Sequence, residues 1–337
     1  MKKYLRLIIL LSFIISGSTV IANDFEVNGI AYNVISIPDL TCEVTRNNYY
    51  HSPSYIPANV TYIGRTFKVL GVGDNAFKDS HVSEITIENG ITYIGNEAFS
   101  GCEFSSVVIP NSVTRIGEIA FYFCGKRVKH FWNDDYDAVL SELKIEDGTE
   151  MLEGNFWLGS YSSFSDTKIK KLYLGRNIND ALLNDALYTS LEELTIGDMV
   201  TELKTSSLIP SNIFYLYEIR KLTIGVGLNR VPYFAEGDKL NEIFVRSETP
   251  QVSEGFNDGT YLHATLYVPK GTKAVYETAD IWKNFWNIEE YNTETTGIDN
   301  VAIKPKDVKT YNINGSIITS PTYRGIIIKG GKKYINK

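Results

Sequence analysis

The side chains best suited to acid–base or metal chemistry near neutral pH are four histidines, His51, His81, His130 and His263. None lies in a His-Glu-x-x-His pattern, and no two are four residues apart, so no helix face could present a zinc pair. The Gly-x-Ser-x-Gly nucleophile turn and the Gly-rich phosphate loop ending in Lys-Ser/Thr are both absent. Gly71-Val72-Gly73 lacks the third glycine of a dinucleotide fingerprint. Asp134, Asp135 and Asp137 alternate with aromatics in the stretch 129–137, and closely spaced carboxylates suit a hard cation such as Ca²⁺. The glycine and terminal glutamate of an EF-hand loop are missing, so the stretch reads as a solvated acidic loop, with a ligand-contact loop as the alternative. A glycosidase needs two carboxylates across a sugar bond, and 40 acidic residues always offer some pair without pointing to one. The expectation is a protein with no catalytic residue, no cofactor and no metal.

The chain that would position any site has 337 residues, 43% hydrophobic and 22% charged, an ordinary globular composition. Three cysteines are too few for a disulfide scaffold or a Cys-only zinc site. The formal charge of −7 disfavours nucleic acid as a partner. That total hides an asymmetry: residues 1–22 carry +3 and residues 301–337 carry +7, which leaves −17 on the stretch between them.

The first 22 residues read as a cleaved signal peptide. Lys2, Lys3 and Arg6 precede the apolar run 7–15, and Val20-Ile21-Ala22 sets up a cut before Asn23. An apolar core of about nine residues is far short of the roughly 20 that a spanning helix needs, so the mature chain is expected to lack a transmembrane span. The last 40 residues have the texture of a small β unit: Tyr311-Asn312-Ile313-Asn314-Gly315, then Gly325 to Gly331, then Tyr334-Ile335.

Self-similarity organises everything between. Val72-Gly73-Asp74-Asn75-Ala76-Phe77 recurs 22 residues later as Ile94-Gly95-Asn96-Glu97-Ala98-Phe99, and again as Ile116-Gly117-Glu118-Ile119-Ala120-Phe121. A second element alternates aliphatic residues: Ile85-Thr86-Ile87, Val107-Val108-Ile109, Leu143-Lys144-Ile145, Leu172-Tyr173-Leu174, Leu194-Thr195-Ile196, Leu222-Thr223-Ile224, Ile243-Phe244-Val245 and Leu266-Tyr267-Val268. The one long interval, 36 residues, marks an insertion around 123–138. Each unit is too small to bury its own apolar face, so stacking must join the short strands into a parallel sheet and align Phe77, Phe99 and Phe121 in one buried column. Cys102 and Cys124 share one repeat position with Ser80 and read as small packing residues; stacked coils are close enough that a disulfide between them is also open.

The Ile-Gly-x-x-Ala-Phe copies, with Ser100-Gly101-Cys102 and Val108-Ile109-Pro110-Asn111-Ser112-Val113, resemble the BspA-like leucine-rich repeats of Bacteroidetes surface proteins. Residues 25–32 and 56–60 resemble that family's N-terminal β cap, and residues 266–272 through Trp282 resemble the end of its array. Between about 125 and 240 the Ala-Phe element is lost. The resemblance implies a strand-rich α+β leucine-rich-repeat solenoid with one short parallel strand per repeat, an N-terminal β cap and a small C-terminal β tail. The corresponding division is signal peptide 1–22, cap 23–66, array 67–291, and linker with basic tail 292–337. The tail is similar to C-terminal segments of secreted Bacteroidetes proteins, some of which direct surface attachment. The family association implies an extracellular or outer-surface protein for adhesion or interaction.

The residues between the inward aliphatics form an outward column, and there Lys144, Tyr173, Phe244 and Tyr267 are the candidate partner-binding face. The expected partner is a protein or a glycan, met by a monomer. Three other readings stay in view: the aromatics as ordinary cross-strand packing, a carbohydrate-active enzyme on a parallel β-helix, and a spacer that binds nothing.

Overall fold

The computed structural model describes residues 23–46, 55–130, 135–155, 161–179, 182–183, 190–203, 213–236, 238–292, 311–312, 325–329 and 332–336. The proposed leader, His51 and Asp134 lie outside the described residues. The chain divides into a unit ending at Glu290 and a second unit from Tyr291 to Lys337.

The first unit is a solenoid whose coils are joined along more than one wall. One wall is an eight-stranded ladder of Ser106–Ile109, Glu142–Ile145, Lys171–Leu174, Glu193–Ile196, Lys221–Ile224, Glu242–Val245, Thr265–Pro269 and Asn287–Tyr291. The strands from Ser106–Ile109 through Thr265–Pro269 are parallel and pair the aliphatic positions rung to rung, as in Leu143 with Leu172 and Leu194 with Leu222. The period-2 alternation is the cause: inward Leu, Ile and Val are buried while the residue between them faces out. A one-residue slip would expose every one of them, so the register is fixed.

A second eight-stranded wall starts in the N-terminal cap. Phe25–Val27, Ile30–Ser36 and Thr41–Thr45 pair antiparallel, and Thr41–Thr45 then runs parallel to Arg65–Val72, which Asn59–Tyr62 joins antiparallel. The two-residue strands Tyr93–Ile94, Arg115–Ile116 and Glu153–Gly154 continue it in parallel. The coils therefore carry more strand than the single one per repeat that the sequence suggests, and Arg65–Val72 crosses the expected limit between cap and array at 66/67.

Between these walls the turns stack. The rings of Phe77, Phe99, Phe121 and Phe164 follow one another at centroid distances of 5.2, 5.2 and 4.6 Å, nearly parallel and fully buried. The turn backbones bond coil to coil: Phe77 N to Ala98 O at 2.7 Å, Phe99 N to Ala120 O at 2.7 Å and Phe121 N to Ser163 O at 2.8 Å. Side chains repeat the pattern, with Asp74 Oδ1 accepting from Asn96 N and Asn96 Oδ1 from Glu118 N. Glycine is required where these turns approach. A β-carbon on Gly117 would stand 2.5 Å from Asn96 N and from the carbonyl carbon of Gly95.

Cys42, Cys102 and Cys124 are free and buried, so the packing reading of the last two holds and no disulfide joins them. Cys102 Sγ lies 3.3 Å from Phe77 O, and burial pushes its thiol up to about 12. Aromatic clusters plug both ends: Phe25 stacks on Tyr62 and Tyr32 in the cap, and Trp282, Tyr276, Phe256 and Phe285 pack together at the other end. There Trp282 Nε1 donates to Gln251 O at 2.7 Å.

The insertion is a β-hairpin, Lys126–Lys129 against Tyr136–Leu140, whose second strand pairs in parallel with Thr167–Ile169. Asp137 is held there by His130 Nε2 at 2.9 Å and Lys168 Nζ at 2.7 Å. Burial pushes its carboxyl up, but the hydrogen bonds and positive charges of Lys168 and His130 together keep it below its ordinary value. The second unit contains Tyr311–Asn312, Gly325–Lys329 and Lys332–Asn336 as an antiparallel three-stranded sheet. No helix among the described residues is long and apolar enough to cross a membrane.

Candidate functional site

The long ladder sets its outward residues in one file. Val108 pairs with Lys144, Lys144 with Tyr173, Tyr173 with Thr195, Thr195 with Thr223, Thr223 with Phe244, and Phe244 with Tyr267. The four candidate residues thus share one column, but as two pairs. Phe244 and Tyr267 stack face to face, with centroids 4.4 Å apart and planes 10° apart. Lys144 Nζ lies 5.7 Å from the centre of the Tyr173 ring. Two threonine rungs separate the pairs, about 14 Å at the usual strand spacing.

Each pair is fixed by neighbours. Tyr173 Oη donates to Asp147 Oδ1 at 2.7 Å. Burial first, then this hydrogen bond and the nearby negative charge, push the phenol well above its ordinary value, so it stays a donor at neutral pH. Lys221 Nζ sits 4.9 Å from the centre of the Phe244 ring. Charges alternate alongside the column: Lys171 meets Glu193 at 2.6 Å, and Arg246 meets Asp198 at 3.2 Å. These exposed pairs set register and local potential more than stability.

The column departs from the simple alternation at two places. Thr86 is not its first rung: Thr86–Ile87 pairs with Tyr55–Ile56 of the cap, where Glu88 N donates to Ile56 O and Ala58 N donates to the Glu88 carboxylate. Thr223, the cross-strand neighbour of Phe244, is only 2% exposed. Asp147 was not marked by the repeat pattern, because it lies beyond its strand end. Its signal is a polar residue two positions past the last inward aliphatic, Ile145.

No group of three His, Cys, Asp or Glu among the described residues could hold a metal ion. His81 is paired with Glu103 at 3.2 Å on the surface, and His130 belongs to the Asp137 cluster. The arrangement offers flat, partly exposed rings and framing cations, which suit non-covalent recognition.

Comparison with known proteins agrees with the repeat. A family model described as a BspA type leucine rich repeat region matches residues 69–139 in six copies. No curated protein matches the chain. Three solved structures are similar over 80% of this chain. A leucine-rich repeat protein from Bacteroides ovatus is 15% identical, covered over 76% of its length, with a TM-score of 0.25. The pneumococcal vaccine antigen PcpA is 14% identical, covered over 98%, with a TM-score of 0.26. A leucine rich cell surface protein from Faecalibacterium prausnitzii is 13% identical, covered over 95%, with a TM-score of 0.21. The matched segment carries the glycine turns and the stacked Phe77, Phe99 and Phe121, so residues 69–139 of this chain resemble a BspA-type leucine-rich repeat region.

Proposed function

We propose that this chain is an exported repeat protein of the cell surface or its surroundings that binds a macromolecular partner, protein or glycan, through the outward column of the long ladder. The observation that carries the reading is the Phe244–Tyr267 stack. Two large rings lie flat and partly exposed on a sheet whose other face already supplies the core. Ordinary outward strand positions do not need such rings, whereas interface anchors are rich in aromatics. Lys144, Tyr173 and Asp147 form the second anchor along the same file.

The export part of the proposal rests on residues 1–22 and on the basic segment 292–337 as a sorting or attachment element. Mass spectrometry of the secreted protein should find Asn23 as its first residue. For the binding face, a protein and glycan array probed with the purified chain identifies a partner, and Tyr267→Ala and Phe244→Ala should weaken that binding at least tenfold while the melting temperature moves little. Binding unchanged in both variants would refute the site.

A further inference from the structure

We propose a second binding site, beside the inserted hairpin, that takes a neutral sugar ring of a glycan. Three observations meet there. The first is an open depression of about 490 Å³ lined by Phe123, Arg127, Asp135 and Tyr136, within the size range of ligand sites. It is built on the longest insertion in the array, an interval of 36 residues where the turns repeat every 22.

The second is a strained aromatic. Asp79, Gly101 and Phe123 occupy the same place in three successive coils, and all three have positive φ, at 57°, 77° and 46°. Aspartate and glycine are ordinary choices in this left-handed region; a bulky ring is not. The coil that carries the hairpin therefore puts phenylalanine where its neighbours use residues that fit, and strain of this kind concentrates at functional positions.

The third is a positioned guanidinium. Arg127 lies over the Phe123 ring, 4.0 Å from its centre, and donates to Phe123 O at 2.6 Å and Gly101 O at 2.9 Å. Two of its five N–H groups are spent on holding it, so its plane is set before any ligand arrives.

The lining chemistry selects the ligand. A pyranose has an apolar C–H face that an aromatic ring can cover, and vicinal hydroxyls that a planar guanidinium or a carboxylate can engage with two parallel hydrogen bonds. Phe123 and the 48% exposed Tyr136 supply the rings; Arg127 and Asp135 supply the planar groups. One positive and one negative group make the lining neutral, which favours a neutral sugar over a uronate. The open shape suits one ring of a chain that runs on into solvent. A peptide adding to the hairpin edge is disfavoured by Lys126 and Lys129 on that edge strand.

The site is distinct from the ladder column, and calorimetry on the full chain can separate them. The probes are neutral gluco-, manno- and galacto-configured oligosaccharides, with an oligogalacturonate as the acidic comparison. At least one neutral probe should bind saturably. Phe123→Gly and Tyr136→Ser should each weaken it at least tenfold, Ile37→Ser, an exposed change in the cap, should leave it unchanged, and Phe123→Gly should melt no lower than the parent. No binding of any neutral probe, binding of the uronate alone, or binding that survives Phe123→Gly and Tyr136→Ser would overturn the inference. Binding lost in Phe244→Ala alone would also overturn it, while supporting the ladder face.

Discussion

Two columns of stacked aromatic rings run through this molecule, and they differ in what surrounds them. In the turn column Phe77, Phe99, Phe121 and Phe164 repeat one residue type at every rung and are fully buried. In the ladder column the rungs read Lys144, Tyr173, Thr195, Thr223, Phe244 and Tyr267, and the rings stay partly in solvent. The stacking distances are similar, 5.2 Å for Phe77–Phe99 and 4.4 Å for Phe244–Tyr267. Ring geometry alone therefore says nothing about role. Sameness and burial mark the column that holds the coils together; variety and partial exposure mark the one proposed to carry recognition.

The largest expected effect tests that contrast directly. Phe99→Ala empties a site flanked by Phe77, Phe121 and the edge of Phe104, and should cost about 3–5 kcal/mol in urea unfolding. Phe244→Ala, which removes a half-exposed stacked partner, should cost about 1 kcal/mol. Equal losses would erase the distinction between the columns.

Next comes the close approach of the turns. Gly117→Ala forces a β-carbon onto the backbone of the preceding coil and should destabilise by about 1–3 kcal/mol. A smaller effect of opposite sign is expected at Ile119, a β-branched residue held at a φ of 43° in the same turn. Ile119→Gly relieves about 1–2 kcal/mol of left-handed strain against about 0.5–1 kcal/mol of added chain entropy, so the unfolding midpoint should rise slightly.

The smallest effect near neutrality is a dependence on pH that appears only in alkali. Burial raises the thiols of Cys42 and Cys102 to about 12, and that of Cys124 also rises. An unfolded thiol ionises near 8.5, so the folded chain binds more protons than the unfolded one between about pH 9 and 12. Stability held by these thiols is complete below that window and should fall as pH rises through it. At pH 8 a thiol reagent should leave all three untouched until the chain unfolds.

The ladder was legible because alternation has a period of two and the strands stack in register. Naming Leu143, Leu172 and Leu194 as inward residues also fixes Lys144, Tyr173 and Thr195 as outward ones. Phe164 was harder to see, because Ser163 stands where the other copies have alanine. A hydroxyl fits that tight place since its donor is satisfied, Ser163 Oγ to Gly117 O at 2.9 Å. Other features depend on contacts between distant segments that no local pattern encodes. Arg176 is fully buried, and its guanidinium donates to the carbonyls of Pro110 and Asn111, both at 2.9 Å. The hairpin was marked as an interval too long for one coil and as an acidic, aromatic stretch over 129–137, and the strained Phe123 only as one more aromatic in the insertion.

The 22-residue step of the turns has a consequence for how such a chain can be rewritten. Gly95 and Gly117 stand in equivalent surroundings, each bonded through its N–H to the coil before it, Gly95 N to Val72 O at 2.7 Å and Gly117 N to Ile94 O at 2.8 Å. A gene that loses or duplicates the codons between two such glycines joins backbone to matching backbone. Whole coils are thus units of inheritance as well as of packing, and unequal crossing-over can change their number without inventing a new turn.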